Sequence, residues 1–389
     1  MKKSIELLSP AGNFNALKCA INNGADAVYL GLSEFNARSN IENFNIENLA
    51  DAVMLAHLHN VKVYLTLNTL VCDSEFEEIL KLVKKALLCK IDAFIVQDIG
   101  LAYFLRANFP YIELHASTQM GICNLEGIKA LKDINFSRVV LARETPLSEI
   151  KRISENCSIP LEYFIQGALC VSFSGNCYLC SLLAGASGNR GKCKQFCRLP
   201  YILEHDSTKE RGYFLSTKDF CMLQYLKELY RSGVSSFKIE GRARREGYVA
   251  VATGVYRQAI DNNFIYNEKD KEELKYVFNR GDFISGYFGQ EKIIYYKSQN
   301  HIGVEIGKIE KIRKGKKFNE IHIKSSKKLK KGDVLKIFDR EREIGVISVV
   351  DFKELENGKD ILTSKAEFPK NSNVRMIINS DLEGKYLAS

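Results

Sequence analysis

ELLSPAGNFNALKCAINNGADAVYLG, residues 6–31, contains one unit of a pattern that fills the first two thirds of the chain. A short β-rich apolar run, Ile5–Leu8, leads into an amphipathic stretch, Asn13–Asn23, and a second apolar run follows at Ala27–Gly31. Apolar spacing near 3.6 between runs of strand-forming residues reads as strand, helix, strand. The pattern continues through apolar runs at Lys62–Leu67, Ala93–Gln97, Glu113–Ala116, Arg138–Ala142, Leu161–Ile165 and Ser236–Ile239. Amphipathic stretches such as Ile46–His59, Glu75–Cys89 and Gln224–Ser232 lie between them, some closing on Gly or Asn as helices do. Eight β/α units predict an α/β fold, a (β/α)8 TIM-like barrel. An open doubly wound sheet is the rival, but no G-x-G-x-x-G follows the first strand.

The rest of the chain changes character. Two helical stretches, Glu246–Asn262 and Asn267–Phe278, follow the eighth strand, and a boundary is expected near Tyr295–Asn300. Beyond it, short runs at Gly303–Ile312, Glu320–Lys324, Val334–Phe338, Glu343–Val350, Ile361–Ser364 and Val374–Ile378 alternate with Gly and Asp turns. They predict a small all-β barrel domain over residues 296–389, after a TIM-like barrel over 1–294.

The 389 residues are 46% hydrophobic and 26% charged, an ordinary globular balance. No apolar stretch is long enough for a membrane span, and the N-terminus lacks an apolar signal region. A cytoplasmic protein without a membrane partner is expected. The formal net charge of +9 is uneven: Gly307–Asp333 holds eleven Lys or Arg against three Asp or Glu. Such a patch suits a polyanion such as RNA, or is simply a solvated lysine-rich surface.

Six of the eleven cysteines fall between positions 170 and 221, on a long connection (167–221) that a barrel would hang over its C-terminal face. GALCVSFSGNCYLCSLLAGASGNRGKCKQFCRLPY runs from Gly167 to Tyr201, and LSTKDFC adds Cys221. In a reducing compartment such density points to metal rather than to disulfides. Zinc would take two short-spaced pairs, Cys177 with Cys180 and Cys193 with Cys197. A 4Fe–4S cluster would take four of the six with irregular spacing, and Cys170, at the end of a barrel strand, favours it. From spacing alone the two readings are nearly level. The other five cysteines sit among apolar neighbours and read as packing.

Other residues at strand ends are candidates for the site. His115, Ser117 and Gln119 alternate along the end of the fifth strand, and Asn68 ends the third. Lys238, Glu240 and Arg242 alternate on the eighth strand and its exit, as an anion site or as an internal ion-pair network. Arg38, in FNAR, is a further candidate for binding carboxylate or phosphate, whereas Arg143 and Glu144 read as pairing with neighbours. Catalytic roles are expected for His115, Gln119 and Glu240, and substrate contacts for Arg38, Asn68, Lys238 and Arg242.

ELLSPAGN, ADAVYLG, ELHASTQM, GALCVSFSGNCYL, GNRGKC, LSTKDFC, FKIEGR and FNRGDFISGYF, in this order, resemble peptidase family U32 over nearly the whole barrel. The resemblance implies a 4Fe–4S cluster held by four cysteines, which on this chain are Cys170, Cys177, Cys193 and Cys221. Cys197 matches a cysteine common in the family, and Cys180 departs from the usual serine. It also implies oxygen-independent hydroxylation of a tRNA wobble uridine, a ribosomal RNA cytidine or ubiquinone precursors, with prephenate as co-substrate of the tRNA proteins. The expectation is prephenate-dependent formation of 5-hydroxyuridine in tRNA, with the lysine-rich small barrel on the RNA backbone. One rival is a peptidase, with a cysteine nucleophile beside His115, although no G-x-S-x-G or H-E-x-x-H is present. The other is a non-catalytic iron–sulfur subunit that pairs with a family paralogue.

Overall fold

The computed structural model describes residues 5–39, 41–355 and 359–388. Eight parallel strands close into a barrel: β1 (Glu6–Pro10), β2 (Ala27–Leu30), β3 (Lys62–Leu67), β4 (Ala93–Val96), β5 (Leu114–Ala116), β6 (Arg138–Val140), β7 (Leu161–Ala168) and, after three intervening strands, β11 (Val234–Ile239). Consecutive strands pair in order, and β11 closes the ring by pairing with both β1 and β7. These are the eight runs that the sequence singles out.

Helices cover the outside: α1 (Phe14–Asn22), α2 (Ile46–Leu58), α3 (Phe76–Leu88), α4 (Ile99–Asn108), α5 (Leu125–Ala130) and α6 (Leu147–Asn156), then α8 (Leu226–Arg231), α9 (Glu246–Asp261) and α10 (Glu268–Val277). Several begin on a side-chain cap that satisfies the free amides of the first turn. Asn13 accepts from Ala16 N at 2.9 Å, and Asn45 with Asn48 forms a reciprocal capping box on α2. None of the described helices is long and apolar enough to cross a membrane.

The barrel interior combines apolar and ionic groups. Leu8, Ala27, Tyr29, Tyr64, Ala93 and Ile95 form an apolar cluster. An ionic network packs against it, with Arg138 5.4 Å over the Tyr64 ring and Lys238 4.5 Å over the Tyr29 ring. Glu162, fully buried, accepts from Arg138 at 3.0 Å, Ser236 at 3.1 Å and Lys238 at 2.8 Å. Glu6 joins through Arg138 and accepts from the Tyr64 hydroxyl at 2.7 Å. A buried acid of this kind persists only when its partners saturate it.

The long connection after β7 carries the short helix α7 (Leu179–Ala184) and an exposed hairpin of β8 (Tyr201–His205) and β9 (Thr208–Gly212). It returns through β10 (Asp219–Cys221), which pairs antiparallel with the end of β7, and β12 (Phe283–Ile284) adds alongside. Two arginines staple this insertion down. Arg190 makes a two-pronged contact with Glu75 at 2.6 and 2.5 Å. Buried Arg198 binds Ser216, Leu169 and Thr217.

The C-terminal part is all-β, as the sequence predicts, and forms an antiparallel half-barrel sheet. Its strands are β13 (Val304–Arg313), β14 (Asn319–Ser325), β15 (Val334–Asp339), β16 (Arg342–Ser348), β17 (Phe352–Leu355), β18 (Lys359–Ser364) and β19 (Asn373–Ile378), in the order β16-β15-β19-β13-β14-β18-β17. A terminal helix, α11 (Ser380–Leu387), ties back to the barrel: Glu383 takes both prongs of Arg245 at 2.5 Å, and the Tyr386 hydroxyl donates to Glu273 at 2.8 Å. All eleven Lys and Arg of Gly307–Asp333 are exposed, so none is consumed in the sheet's core.

Candidate active site at the barrel mouth

Barrel strands end where their connecting loops begin, so residues at those ends converge on one mouth. Arg38, Asn68, Gln119, Lys238, Glu240, Arg242 and Cys170 all line a single cleft there. Asn68 accepts from Ala37 N at 3.0 Å, which fixes the loop that carries Arg38. Gln119 sits in a one-turn helix capped by Ser117, just past the end of β5.

Charge is the cleft's main property. Arg38, Arg143, Lys238 and Arg242 line it against one carboxylate, Glu240. Glu240 is bound by Arg38 at 3.0 Å; burial works against its charge, but Arg38, Arg143 and Arg244 hold its carboxyl below the ordinary range. Lys238 is answered by Glu162 from inside the barrel and lies 4.5 Å over the Tyr29 ring. Counting both acids, an excess of two positive charges remains.

That excess resides on two arginines. Among the described residues Arg242, 6% exposed, donates only to neutral oxygens, Thr66 Oγ1 at 3.2 Å and Asn36 Oδ1 at 2.8 Å. Burial pulls its pKa down to about 10, so it is charged at neutral pH. Gly31 makes room for it: a Cβ there would overlap the guanidinium. Arg143 lies 4.0 Å over the Phe164 ring, and its buried Nε has no hydrogen-bond partner among the described residues. Glu144 does bond a neighbour, accepting from Ser174 N at 3.0 Å, whereas the Arg143 side chain makes no ion pair among the described residues.

His115 is placed differently from its expected role. It is 1% exposed, edge-on to Tyr64 at 4.7 Å and 3.7 Å from Glu113, among the interior ionic groups. It does not line the cleft. No clustered cysteine is hydrogen-bonded to it among the described residues, so the nucleophile–base pair that a cysteine peptidase needs is not formed there.

Cys170 opens directly onto the cleft. Gly188 lies between Cys177 and Cys193, with its Cβ position 3.8 Å from the Cys177 carbonyl and from Cys193 Cβ. Burial pushes the Cys197 thiol up to about 11, and Cys170, Cys193 and Cys177 lie close enough to add to the effect. Burial raises Cys193 too, with Cys180 and Cys170 adding and Arg38 opposing. Cys180 is buried and accepts from Lys194 N at 3.3 Å. Cys221 is set apart. It is buried against the Tyr256 hydroxyl at 3.5 Å, and beyond burial the groups that act on it most are Tyr256, the Leu223 amide, Lys271 and Lys275. Among the described residues, no three His, Cys, Asp or Glu side chains are drawn together at one point in a ligating arrangement. Cys170 is the clustered cysteine in the cleft lining, and thiolates as a class are soft ligands that suit iron–sulfur chemistry better than hard-cation binding.

The family model for peptidase family U32 matches residues 12–296. The chain belongs to peptidase family U32. That match covers the barrel from α1 onward and the whole cysteine insertion. Among relatives, the chain is 37% identical over 359 residues to the 23S rRNA 5-hydroxycytidine C2501 synthase of Escherichia coli, covering 88% of this chain and 53% of the synthase. It is 37% identical over 388 residues to an uncharacterized protease of Methanocaldococcus jannaschii, covering 94% of each. It is 34% identical over 311 residues to tRNA hydroxylation protein P1 of Bacillus subtilis, covering 75% of this chain and 74% of that protein. The chain thus spans about half the length of the synthase but nearly all of the archaeal relative.

Proposed function

We propose that this U32 protein is an RNA-modifying enzyme that hydroxylates a pyrimidine without molecular oxygen, specifically tRNA wobble uridine to 5-hydroxyuridine with prephenate as co-substrate. The observation that carries the reading is the cationic cleft beside the cysteine insertion, with Arg143 and Arg242 free of carboxylate partners among the described residues. Guanidinium groups bind carboxylates by paired hydrogen bonds, so two such groups in one cleft suit a small dicarboxylate. The names of two relatives point to hydroxylation of RNA.

A 4Fe–4S cluster fits the donor set, with Cys170, Cys177 and Cys193 as ligands and Cys197 as the fourth. When bound it would supply one-electron chemistry at the cleft wall. Arg242 and Arg143 hold the co-substrate's carboxylates, Lys238 lines the cleft beside them in its pair with Glu162, and Glu240 keeps Arg38 in place. The exposed lysines of Gly307–Asp333 are suited to sequence-independent contact with the RNA backbone.

Two measurements test this. Transfer RNA from a deletion strain is expected to lose 5-hydroxyuridine by mass spectrometry, with the loss reversed by the wild-type gene; unchanged content in a strain without a paralogue would sink the reading. Gly31→Ala pushes Arg242 from its seat without touching a ligand directly. It is expected to raise KM for prephenate by at least about tenfold with kcat little changed. An unaltered KM would remove Arg242 from the co-substrate site.

A further inference from the structure

A second groove opens beside the cationic cleft and shares two wall residues with it, Gln119 and Gly175. It runs between α4 and α5 under the cysteine insertion, with a volume of about 580 Å³, inside the range of small-molecule sites. Its chemistry is the opposite of the cleft's. Asp98 is the one acid in its lining and no Lys, Arg or His joins it. Asp98 is already occupied, accepting from Leu101 N at 2.8 Å and Val71 N at 3.3 Å. The groove therefore carries one negative charge, held by backbone amides, and does not suit a phosphate or an acidic side chain.

Two aromatic rings flank it. Tyr103 on α4 is 52% exposed, and Tyr178 on the insertion is 61% exposed. Two large exposed rings in the lining of a slot without cations suit a flat aromatic guest. A third feature gives the slot a polar element. Gln97, 6% exposed, lines the groove; its Nε2 donates to Gln119 O at 3.3 Å, while its Oε1 has no partner among the described residues. A buried amide acceptor left open costs stability unless something supplies a donor. The N3–H of uracil or the exocyclic amine of cytosine is such a donor. Gly175 (φ +79°) keeps the shared wall thin, since a Cβ there would overlap the Gln119 carbonyl.

We propose that this groove receives an unstacked pyrimidine of the RNA substrate, held by Tyr103 and Tyr178, and delivers its edge past Gln119 to the cleft. The inference rests on the RNA-modification reading and specifies where the base enters. Single-stranded bases bind proteins largely by stacking on aromatic side chains, and base-modifying enzymes take their target out of the stack. Exposed Lys192 and Lys194 flank Cys193 on the insertion and are available to the adjoining phosphates.

The test compares two RNAs on the full chain: an anticodon stem-loop with uridine at the wobble position, and the same loop with an abasic ribose there. Wild-type protein is expected to bind the intact loop about tenfold more tightly. Tyr178→Ala and Tyr103→Ala should each erase most of that preference while binding the abasic loop as wild type does. Tyr178→Phe, which keeps the ring, should retain it, as should Tyr111→Ala at an exposed tyrosine away from the groove. A preference unchanged in both alanine variants, or absent from wild type, overturns the groove assignment. Failure of the functional reading is scored separately, by the 5-hydroxyuridine content of tRNA from the deletion strain.

Discussion

Protein purified without oxygen is expected to carry about four iron and four sulfide per chain, and Cys193→Ala and Cys197→Ala are each expected to lose them together with all hydroxylation activity. Cys221→Ala is expected to keep the iron. The contrast follows from where the thiols stand. Cys197 lies within electrostatic reach of Cys170, Cys177 and Cys193, at the mouth. Cys221 ends β10 against the Tyr256 hydroxyl on α9, and no clustered cysteine is among the groups that act on it most. Family resemblance alone favours Cys221, so the two variants separate motif from geometry. Cys221→Ala should instead cost about 1 kcal/mol of stability through its lost buried contact. Iron lost from Cys221→Ala and kept in Cys197→Ala would restore the motif's assignment. Zinc without iron or sulfide in wild type would remove the redox reading and shift attention to Cys177, Cys180, Cys193 and Cys197.

The barrel was legible because each strand is a run of β-forming apolar residues and each helix an amphipathic stretch. Local pattern and global fold agree there. Strand-end polar residues were legible for a related reason: once a barrel is assumed, Lys238, Glu240 and Arg242 must reach its mouth. The same logic fails one layer down. His115 shares the alternation of Ser117 and Gln119, but β5 stops at Ala116, and that one position decides between the cleft and the interior. Three-residue β10 carries no periodicity, and its pairing to β7 spans fifty residues of insertion, so nothing local announces it. The hairpin β8–β9 is hidden by its polar composition, and α11 by its brevity. Arg143 reads in sequence as pairing with neighbours, and its seat over the Phe164 ring comes from the next strand, where no local pattern shows it. The groove beside the cleft was not legible at all, because Tyr103 and Tyr178 are brought to face it from segments about seventy-five residues apart.

Glu162→Gln is expected to destabilise the fold by about 3–5 kcal/mol at pH 7, because it removes the buried charge that faces Lys238 and Arg138 and leaves Lys238 without an acid. Arg138 keeps Glu6, so the loss falls mainly on the lysine. Acid should reveal the mechanism. Burial alone would raise the Glu162 pKa, but Lys238 and Arg138 overcome it and hold the carboxyl down at about 2 in the folded protein. The unfolded chain takes up this proton near its ordinary value of about 4.3. The stabilisation is therefore complete above about pH 5 and fades as pH falls through 4 toward 2. Urea melts of wild type and variant should differ less at pH 3 than at pH 7, by roughly 1–2 kcal/mol. A gap that stays constant with pH would mean that the substitution acts through packing rather than through charge. The same network sets what the cleft displays. Lys238 is held between Glu162 below and the Tyr29 and Phe164 rings beside it, so it presents a fixed positive charge to the mouth.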